Sequence, residues 1–188
     1  MKTDINNYFN RLKCTLDNLD RDKIENFIQV LNKARMNGNT IFIMGNGGSA
    51  ATASHFVCDF NKGASYMHDD KKRFKFICLN DNIATMTAYA NDVSYDDVFV
   101  EQLKNFLMKD DVVIGISGSG NSPNVVRAVE YANANNGITI GLTGYNGGKL
   151  KQISKYSVNA NVDDMQISED IHLILCHMLL KIINNIKE

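Results

Sequence analysis

The residues with the clearest chemical potential lie in one helical segment that follows a glycine-rich turn. His55 and Asp59 are four positions apart, so on an α-helix they share a face and can form a hydrogen-bonded pair or hold one metal ion. An imidazole beside a carboxylate can also move protons between neighbouring atoms of a substrate. A half-buried polar pair with a purely structural role is the alternative interpretation.

The turn before that helix has the composition of an anion site. An apolar run ends in Gly45, Asn46, Gly47, Gly48 and Ser49, after which helical spacing resumes. Unpaired backbone N–H groups at a helix N-terminus, the helix dipole and the absence of bulky side chains together favour a phosphate there. An anion bound next to groups that move protons suggests chemistry on a sugar phosphate.

A second turn of small residues follows the third predicted strand. It contains Ser117, Gly118 and Ser119 and ends at Ser122, before Pro123, which is the pattern of an N-cap and a first helical residue. One such turn alone is more often a plain connection, whereas two at the same sheet edge favour a phosphate site. Neither turn matches the P-loop or the dinucleotide-binding pattern.

Alternating apolar runs and helical segments must position these turns. Strands are predicted at 40–44, 74–79, 112–116, 138–142 and 156–159. Helices are predicted at 4–17, 20–37, 49–60, 82–90, 96–107, 123–135 and 168–186. The pattern predicts a single α/β domain, with a five-stranded parallel sheet between helices and ligands at the carboxyl ends of the strands. The residues at 145–148 are interpreted as a plain connection.

Composition narrows the functional class. With 188 residues, 20 basic and 21 acidic side chains and a net charge of -1, the chain is large enough for one core and offers no footprint for nucleic acid. It has no run of 18 apolar residues and no signal-like N-terminus, so neither a membrane span nor a signal peptide is expected. Four cysteines without CxxC spacing favour reduced thiols and a cytoplasmic protein, with Cys58 in the core.

The segment 168–186 is apolar around nearly its whole circumference. One domain of this size can hardly cover such a helix on every side. We therefore expect a homo-oligomer, a dimer or more specifically a tetramer, with the first and last helices in the interface. Within the segment, His172 is interpreted as a core or interface residue, and His68 elsewhere as a solvated loop residue.

Over nearly the whole chain, these motifs resemble the sugar isomerase (SIS) domain and, within it, the phosphoheptose isomerases that act on sedoheptulose 7-phosphate. The resemblance depends on GNGGSAATASHF at 45–56, the Asn91–Asp92 pair, GISGSGNSPNV at 115–125, LTGYNGGKL at 142–150 and EDIHLILCHML at 169–179. It implies an isomerase that forms a heptose 7-phosphate through an enediol, early in the synthesis of surface-polysaccharide heptose. A non-catalytic SIS module that binds a phosphosugar or a protein partner is the alternative.

The resemblance also implies roles for individual residues. It makes Asp59 the general base and His177 the general acid. Family members can bind zinc, and the corresponding ligands of one ion per subunit are His55, Asp59, Glu169 and His177. The residues that would bind the substrate are Asn46, Gly47, Gly48, Ser49, Asp92, Ser117, Gly118, Ser119, Ser122 and Glu169.

The chain departs from the family pattern at four positions. Asp59 and Glu169 stand where the family has glutamate and glutamine, Gly118 replaces a threonine, and Gly63 stands where an arginine is usual. Glu169 and His177 are eight residues apart, about 12 Å along a helix. For one ion to reach both, the side chains must lean together, the helix must begin after Glu169, or a neighbouring subunit must supply one ligand.

Overall fold

Five parallel strands form the centre of the structure. The computed structural model describes residues 1–64 and 72–186. Its strands are β1 (Ile41–Gly45), β2 (Phe76–Cys78), β3 (Val112–Ser117), β4 (Ile138–Thr143) and β5 (Tyr156–Asn159). They lie in the order β2-β1-β3-β4-β5. Each predicted strand is therefore confirmed, and all pairings are parallel.

Helices cover the sheet on both sides. In the described part of the chain they are α1 (Lys2–Asp17), α2 (Arg21–Asn37), α3 (Gly48–Cys58), α4 (Ile83–Asp92), α5 (Val98–Phe106), α6 (Pro123–Ala134), α7 (Gly148–Ile153) and α8 (Met165–Asn184). A π-helical turn, Asp59–Gly63, continues α3, and a 3₁₀ turn, Tyr95–Asp97, precedes α5. The interpretation of 145–148 as a plain connection was wrong at its end, since α7 begins at Gly148. With six residues, α7 is too short to show a periodic apolar pattern.

The two faces of the sheet have separate cores, because side chains alternate along each strand. Ile41 and Ile43 of β1 pack with residues of α2, α3 and α8. Phe42 and Met44 face the other way and pack with residues of α5, α6 and α7. All five residues of β1 are buried. Burial on both faces explains why the strands appear in the sequence as unbroken apolar runs rather than alternating ones.

The first helices attach to the sheet in different ways. Asp20 caps α2 by accepting from the Lys23 N–H at 3.2 Å, and Gly38 ends it in the left-handed region at φ 73°. In contrast, α1 lies against α8, where the Tyr8 hydroxyl donates to Asp170 at 2.6 Å and Arg11 pairs with Asp164 at 2.7 Å. Among the residues that the structure describes, no helix is long and apolar enough to span a membrane.

The cysteines differ in burial. All four are free thiols; Cys78 and Cys176 are buried, whereas Cys14 and Cys58 are exposed. The prediction that Cys58 lies in the core was therefore wrong. The buried face of α3 carries Ser49, Thr52, Ala53 and Phe56, and position 58 falls outside that three-and-four spacing.

Candidate active site

Both small-residue turns lie where the strand order reverses. β1 and β3 are neighbours in the sheet. The chain leaves β1 into α3 on one face and leaves β3 into α6 on the other. Two connections that diverge in this way open a crevice at the carboxyl edge of the sheet, the usual ligand position in this strand order. The turn at 45–49, here called the glycine turn, and the turn at 117–122, the serine loop, flank that crevice.

The glycine turn is shaped by close contacts. Gly47, the N-cap of α3, has φ 55°, a conformation that favours glycine. A Cβ on Gly45 would lie 2.7 Å from the Ser49 Cβ, and one on Gly48 would lie 2.5 Å from a carboxylate oxygen of Glu169. Ser49 is buried, and its N–H donates to the Asn46 carbonyl at 3.0 Å. The small residues therefore let α3 begin directly at the crevice.

The serine loop uses its hydroxyls internally as well as towards the crevice. Ser122 is the N-cap of α6, as predicted, but its hydroxyl lies 2.9 Å from that of the buried Ser117 and makes no capping bond. The Ser119 hydroxyl is partly exposed and accepts from the Asn121 N–H at 3.2 Å. Met165 packs on Gly118, so the space that a side chain at position 118 would occupy is filled from α8.

Three of the predicted chemical residues meet between α3 and α8. Nε2 of His55 lies 2.9 Å from Nε2 of His177, which is 122 residues away in sequence. The Asp59 carboxylate lies 3.3 Å from His55 and 3.8 Å from His177. The side chains are 42%, 24% and 56% exposed for His55, Asp59 and His177 respectively, so the group is open to a ligand. We call these three residues the His–Asp–His group.

The geometry of the His–Asp–His group fits a zinc ion. Its ligand atoms all lie within 4.8 Å of one another. Tetrahedral zinc with bonds near 2.0 to 2.2 Å separates its ligand atoms by about 3.4 Å, which falls inside the range observed here. Asp59 begins the π-helical turn, a deviation that often occurs at functional sites.

Glu169 is placed apart from the other three predicted zinc ligands. Its carboxylate lies against Gly48 at the first turn of α3, whereas His177 lies beside His55 two turns further along that helix. The helix does not begin after Glu169, because α8 already starts at Met165. Since eight helical residues span about 12 Å, the structure leaves Glu169 beside the glycine turn.

Two buried residues of α8, Cys176 and His172, are uncharged at neutral pH. Burial, and then the charge of Asp59, raise the pKa of the Cys176 thiol, which therefore stays protonated. Burial lowers the pKa of His172 to about 4, so this ring is neutral at ordinary pH. Its Nε2 lies 3.2 Å from the Thr143 carbonyl at the end of β4. The interpretation of His172 as a core residue is thus confirmed, while His68 lies outside the described residues.

The segment after α4 also reaches the crevice. Asp92, the last residue of α4, is exposed and accepts from the Asn91 side chain at 2.7 Å. Three residues later, the Tyr95 hydroxyl donates to Oδ1 of Asn46 in the glycine turn at 2.9 Å. Asn124 of α6 also contacts the Asn46 side chain. Neither Tyr95 nor Asn124 was predicted to have a role; the only signal for Asn124 was its place in the motif at 115–125.

An open pocket of about 640 Å³ adjoins the serine loop. It is lined by Ser119, Asn121, Tyr145, Asn146, Asn161, Asp163 and Met165. No member of the His–Asp–His group lines it. Of the residues assigned to the substrate by resemblance, Ser119 alone belongs to this lining.

The fold and its two crevice turns define a sugar isomerase domain. A family model described as the SIS domain matches residues 6–144. The chain is 36% identical over 167 residues to a probable phosphoheptose isomerase from Thermoplasma acidophilum, a match that covers 89% of this chain and 90% of the relative. It is 38% identical over 156 residues to a phosphoheptose isomerase from Crocosphaera subtropica, with 83% and 78% covered.

A solved structure agrees with these relatives. The structure of a phosphoheptose isomerase from Neisseria gonorrhoeae matches with a TM-score of 0.88 and 27% identity, covering 98% of this chain and 99% of that one. The chain therefore belongs to the SIS domain family, among relatives named phosphoheptose isomerases.

Proposed function

We propose that this protein is an isomerase that converts sedoheptulose 7-phosphate to D-glycero-D-manno-heptose 7-phosphate, an early step towards surface-polysaccharide heptose. The observation that supports it best is the His–Asp–His group beside two anion-binding turns, in a chain 36% identical to a probable phosphoheptose isomerase. The serine loop and glycine turn hold the phosphate, and the sugar extends from them to the group between α3 and α8.

The proton chemistry follows from the reaction. Converting this ketose to an aldose moves one proton from C1 to C2 through an enediol, and another from the C1 oxygen to the C2 oxygen. Asp59 takes the proton from C1 and returns it to C2. His177 supplies a proton to the C2 oxygen and removes one from the C1 oxygen. Both side chains lie at the open face of the His–Asp–His group, where a bound sugar can reach them.

We further propose zinc as the metal for this site. His55, Asp59 and His177 would hold it and leave a coordination position open; in the metal-bound form the ion, in place of the proton from His177, would polarise the two sugar oxygens. Mass spectrometry of the untreated protein is expected to find about one zinc ion per chain, and less in His55→Ala. Absence of zinc, together with no response to added zinc, would contradict the metal site and leave the acid and base assignments standing.

Turnover is the direct test of the isomerase. Purified protein is incubated with sedoheptulose 7-phosphate, and NMR follows the appearance of the aldose. We expect conversion that requires Asp59 and His177. No turnover, either with or without added zinc, would overturn the proposal.

A non-catalytic module that binds a phosphosugar or a protein partner is the second candidate. Two observations favour it. Glu169 lies apart from the His–Asp–His group, and Met165 fills the space beside Gly118. Asp59→Ala and His177→Ala separate the two candidates. In a binding module neither change alters ligand affinity much, and wild-type protein shows no turnover.

We also propose a homotetramer that works in the cytoplasm. Large apolar side chains remain exposed on α1 and α8, including Ile5 (51%), Phe9 (62%) and Ile182 (39%), which supports burial of both helices between subunits. Light scattering coupled to size exclusion should give four chains per particle, and Phe9→Glu should reduce that number.

Four free thiols are consistent with a reducing compartment.

A further inference from the structure

The side chain of Asn46 joins three elements that surround the crevice. Asn46 belongs to the glycine turn. Its Nδ2 donates to Oδ1 of Asn124 on α6 at 2.9 Å, and Nδ2 of Asn124 donates back to Oδ1 of Asn46 at 2.9 Å. The Tyr95 hydroxyl donates to the same Asn46 oxygen at 2.9 Å. One amide therefore ties the glycine turn to the helix after the serine loop and to the segment that carries Asp92.

The orientation of these amides is fixed by a backbone group. Oδ1 of Asn124 accepts from the Val125 N–H at 3.0 Å, and a backbone N–H can only donate. The oxygen of Asn124 must therefore face Val125, and its NH₂ group must face Asn46. This in turn places the Asn46 oxygen towards both the Asn124 NH₂ group and the Tyr95 hydroxyl.

Once oriented, the Asn46 oxygen has no acceptor capacity left for a ligand. A side-chain amide oxygen accepts two hydrogen bonds, and both are made within the protein. Asn124 is only 1% exposed, so loss of its partner would leave a buried amide unsatisfied. Of the Asn46 amide, the second N–H of Nδ2 remains available to a ligand, while the hydrogen bonds to Asn124 and Tyr95 fix the distance between the two turns.

We propose that Asn124 and Tyr95 are positioning residues, which act through Asn46 to hold the glycine turn and the serine loop at the separation that a sugar phosphate requires. This proposal rests on the proposed function for its substrate. It adds, to the substrate contact assigned to Asn46 by resemblance, the role of a connector between the two turns.

The test compares variants at the three positions by steady-state kinetics and by calorimetric titration with inorganic phosphate. Asn124→Ala is expected to raise KM for sedoheptulose 7-phosphate by about tenfold and to weaken phosphate binding similarly, with kcat changed less than about threefold. The double variant, Asn46→Ala with Asn124→Ala, should have the same KM as Asn46→Ala alone, because the pair acts as one unit. Tyr95→Phe, which keeps the amide pair, should give a smaller increase.

Asn133→Ala is the matched control. Asn133 lies on the same helix and also bridges elements, since it donates to the Ile153 carbonyl at 2.8 Å and accepts from Thr139 at 2.8 Å. Its loss should lower the melting temperature and leave KM unchanged.

Three results would overturn the proposal. In the first, Asn124→Ala behaves like the control, with a lower melting temperature and normal KM. In the second, the effects of Asn46→Ala and Asn124→Ala on KM multiply in the double variant, which would show that Asn124 does not act through Asn46. In the third, Tyr95→Phe is folded and binds phosphate as wild type does; this result contradicts the proposal even if Asn124→Ala does not fold. Phosphate titration needs no turnover, so failure of the isomerase proposal would be recognised separately.

Discussion

The two ends of the crevice are constructed differently. At the proposed phosphate end, the glycine turn and the serine loop are runs of consecutive residues that follow the neighbouring strands β1 and β3. At the other end, the His–Asp–His group joins side chains of two helices that are 122 residues apart in sequence. The first kind of site is local and can be recognised from a short motif, whereas the second exists only after α8 has packed beside α3.

The two ends also differ in how firmly their groups are held. Ser117 and Asn124 are buried and hydrogen-bonded within the protein. His55 and His177 are 42% and 56% exposed in their side chains. The comparison therefore predicts that changes at the chemical end affect turnover, while changes at the phosphate end affect substrate affinity or stability.

The largest effect is expected at Asp59. Asp59→Asn removes the proposed base, so kcat should fall by roughly 10² to 10⁴-fold, the usual contribution of general acid–base catalysis. Stopped assays of sedoheptulose 7-phosphate conversion measure it, and Cys58→Ser, an exposed neighbour, is the control with normal turnover. An increase in KM alone would show that Asp59 contributes to substrate binding, and would contradict the prediction that the His–Asp–His group affects turnover.

The next effect concerns the stability of the serine loop. Gly120 has φ 68°, and a Cβ there would overlap the Gly147 carbonyl, which belongs to the backbone and cannot move aside. Gly120→Ala should therefore lower the free energy of unfolding by about 3 kcal/mol, as measured by urea denaturation. Gly48→Ala is the comparison, since its Cβ meets only the flexible end of Glu169; equal losses in both variants would contradict this account.

A smaller effect is expected at Ser119, the partly exposed hydroxyl of the serine loop. Loss of one hydrogen bond to a charged phosphate in Ser119→Ala should raise KM by about tenfold, with little change in kcat. A fall in kcat at unchanged KM would show that the phosphate end takes part in the chemical step. Ser154→Ala is the control, because that hydroxyl donates to the Leu150 carbonyl away from the crevice.

The smallest effect is a pH dependence of stability from His172, which anchors α8 between the two ends. Its folded pKa of about 4 lies below the ordinary histidine pKa of 6.5, so the unfolded chain binds more protons between these values. Stability is complete above the unfolded pKa and is lost as the pH falls towards the folded one. From about pH 7.5 to about pH 5.5 the loss should be about 1 kcal/mol. His172→Gln should remove this pH dependence of the free energy of unfolding, as measured by urea denaturation at each pH. If the dependence is unchanged, it arises from other groups.

Much of the framework could be predicted from local patterns. The strands were recognisable because burial on both faces leaves continuous apolar runs, and the i, i+4 spacing of His55 and Asp59 was enough to place them 3.3 Å apart. Local patterns failed where an element was short, as in α7, or where a side chain's environment came from a distant segment. Cys58 was placed in the core because its neighbours are apolar, although its direction on α3 points away from the sheet.

The sequence by itself determined the fold class, both crevice turns and the residue types of the chemical group, because each depends on interactions within a few neighbouring positions. Only the tertiary structure decided that His177 meets His55, that Glu169 lies at Gly48, and that Asn46 is held by Asn124 and Tyr95. These contacts depend on the register between packed helices and on where loops meet. The distances between residues far apart in sequence are set by packing of the whole core, so they leave no periodic signal in the sequence.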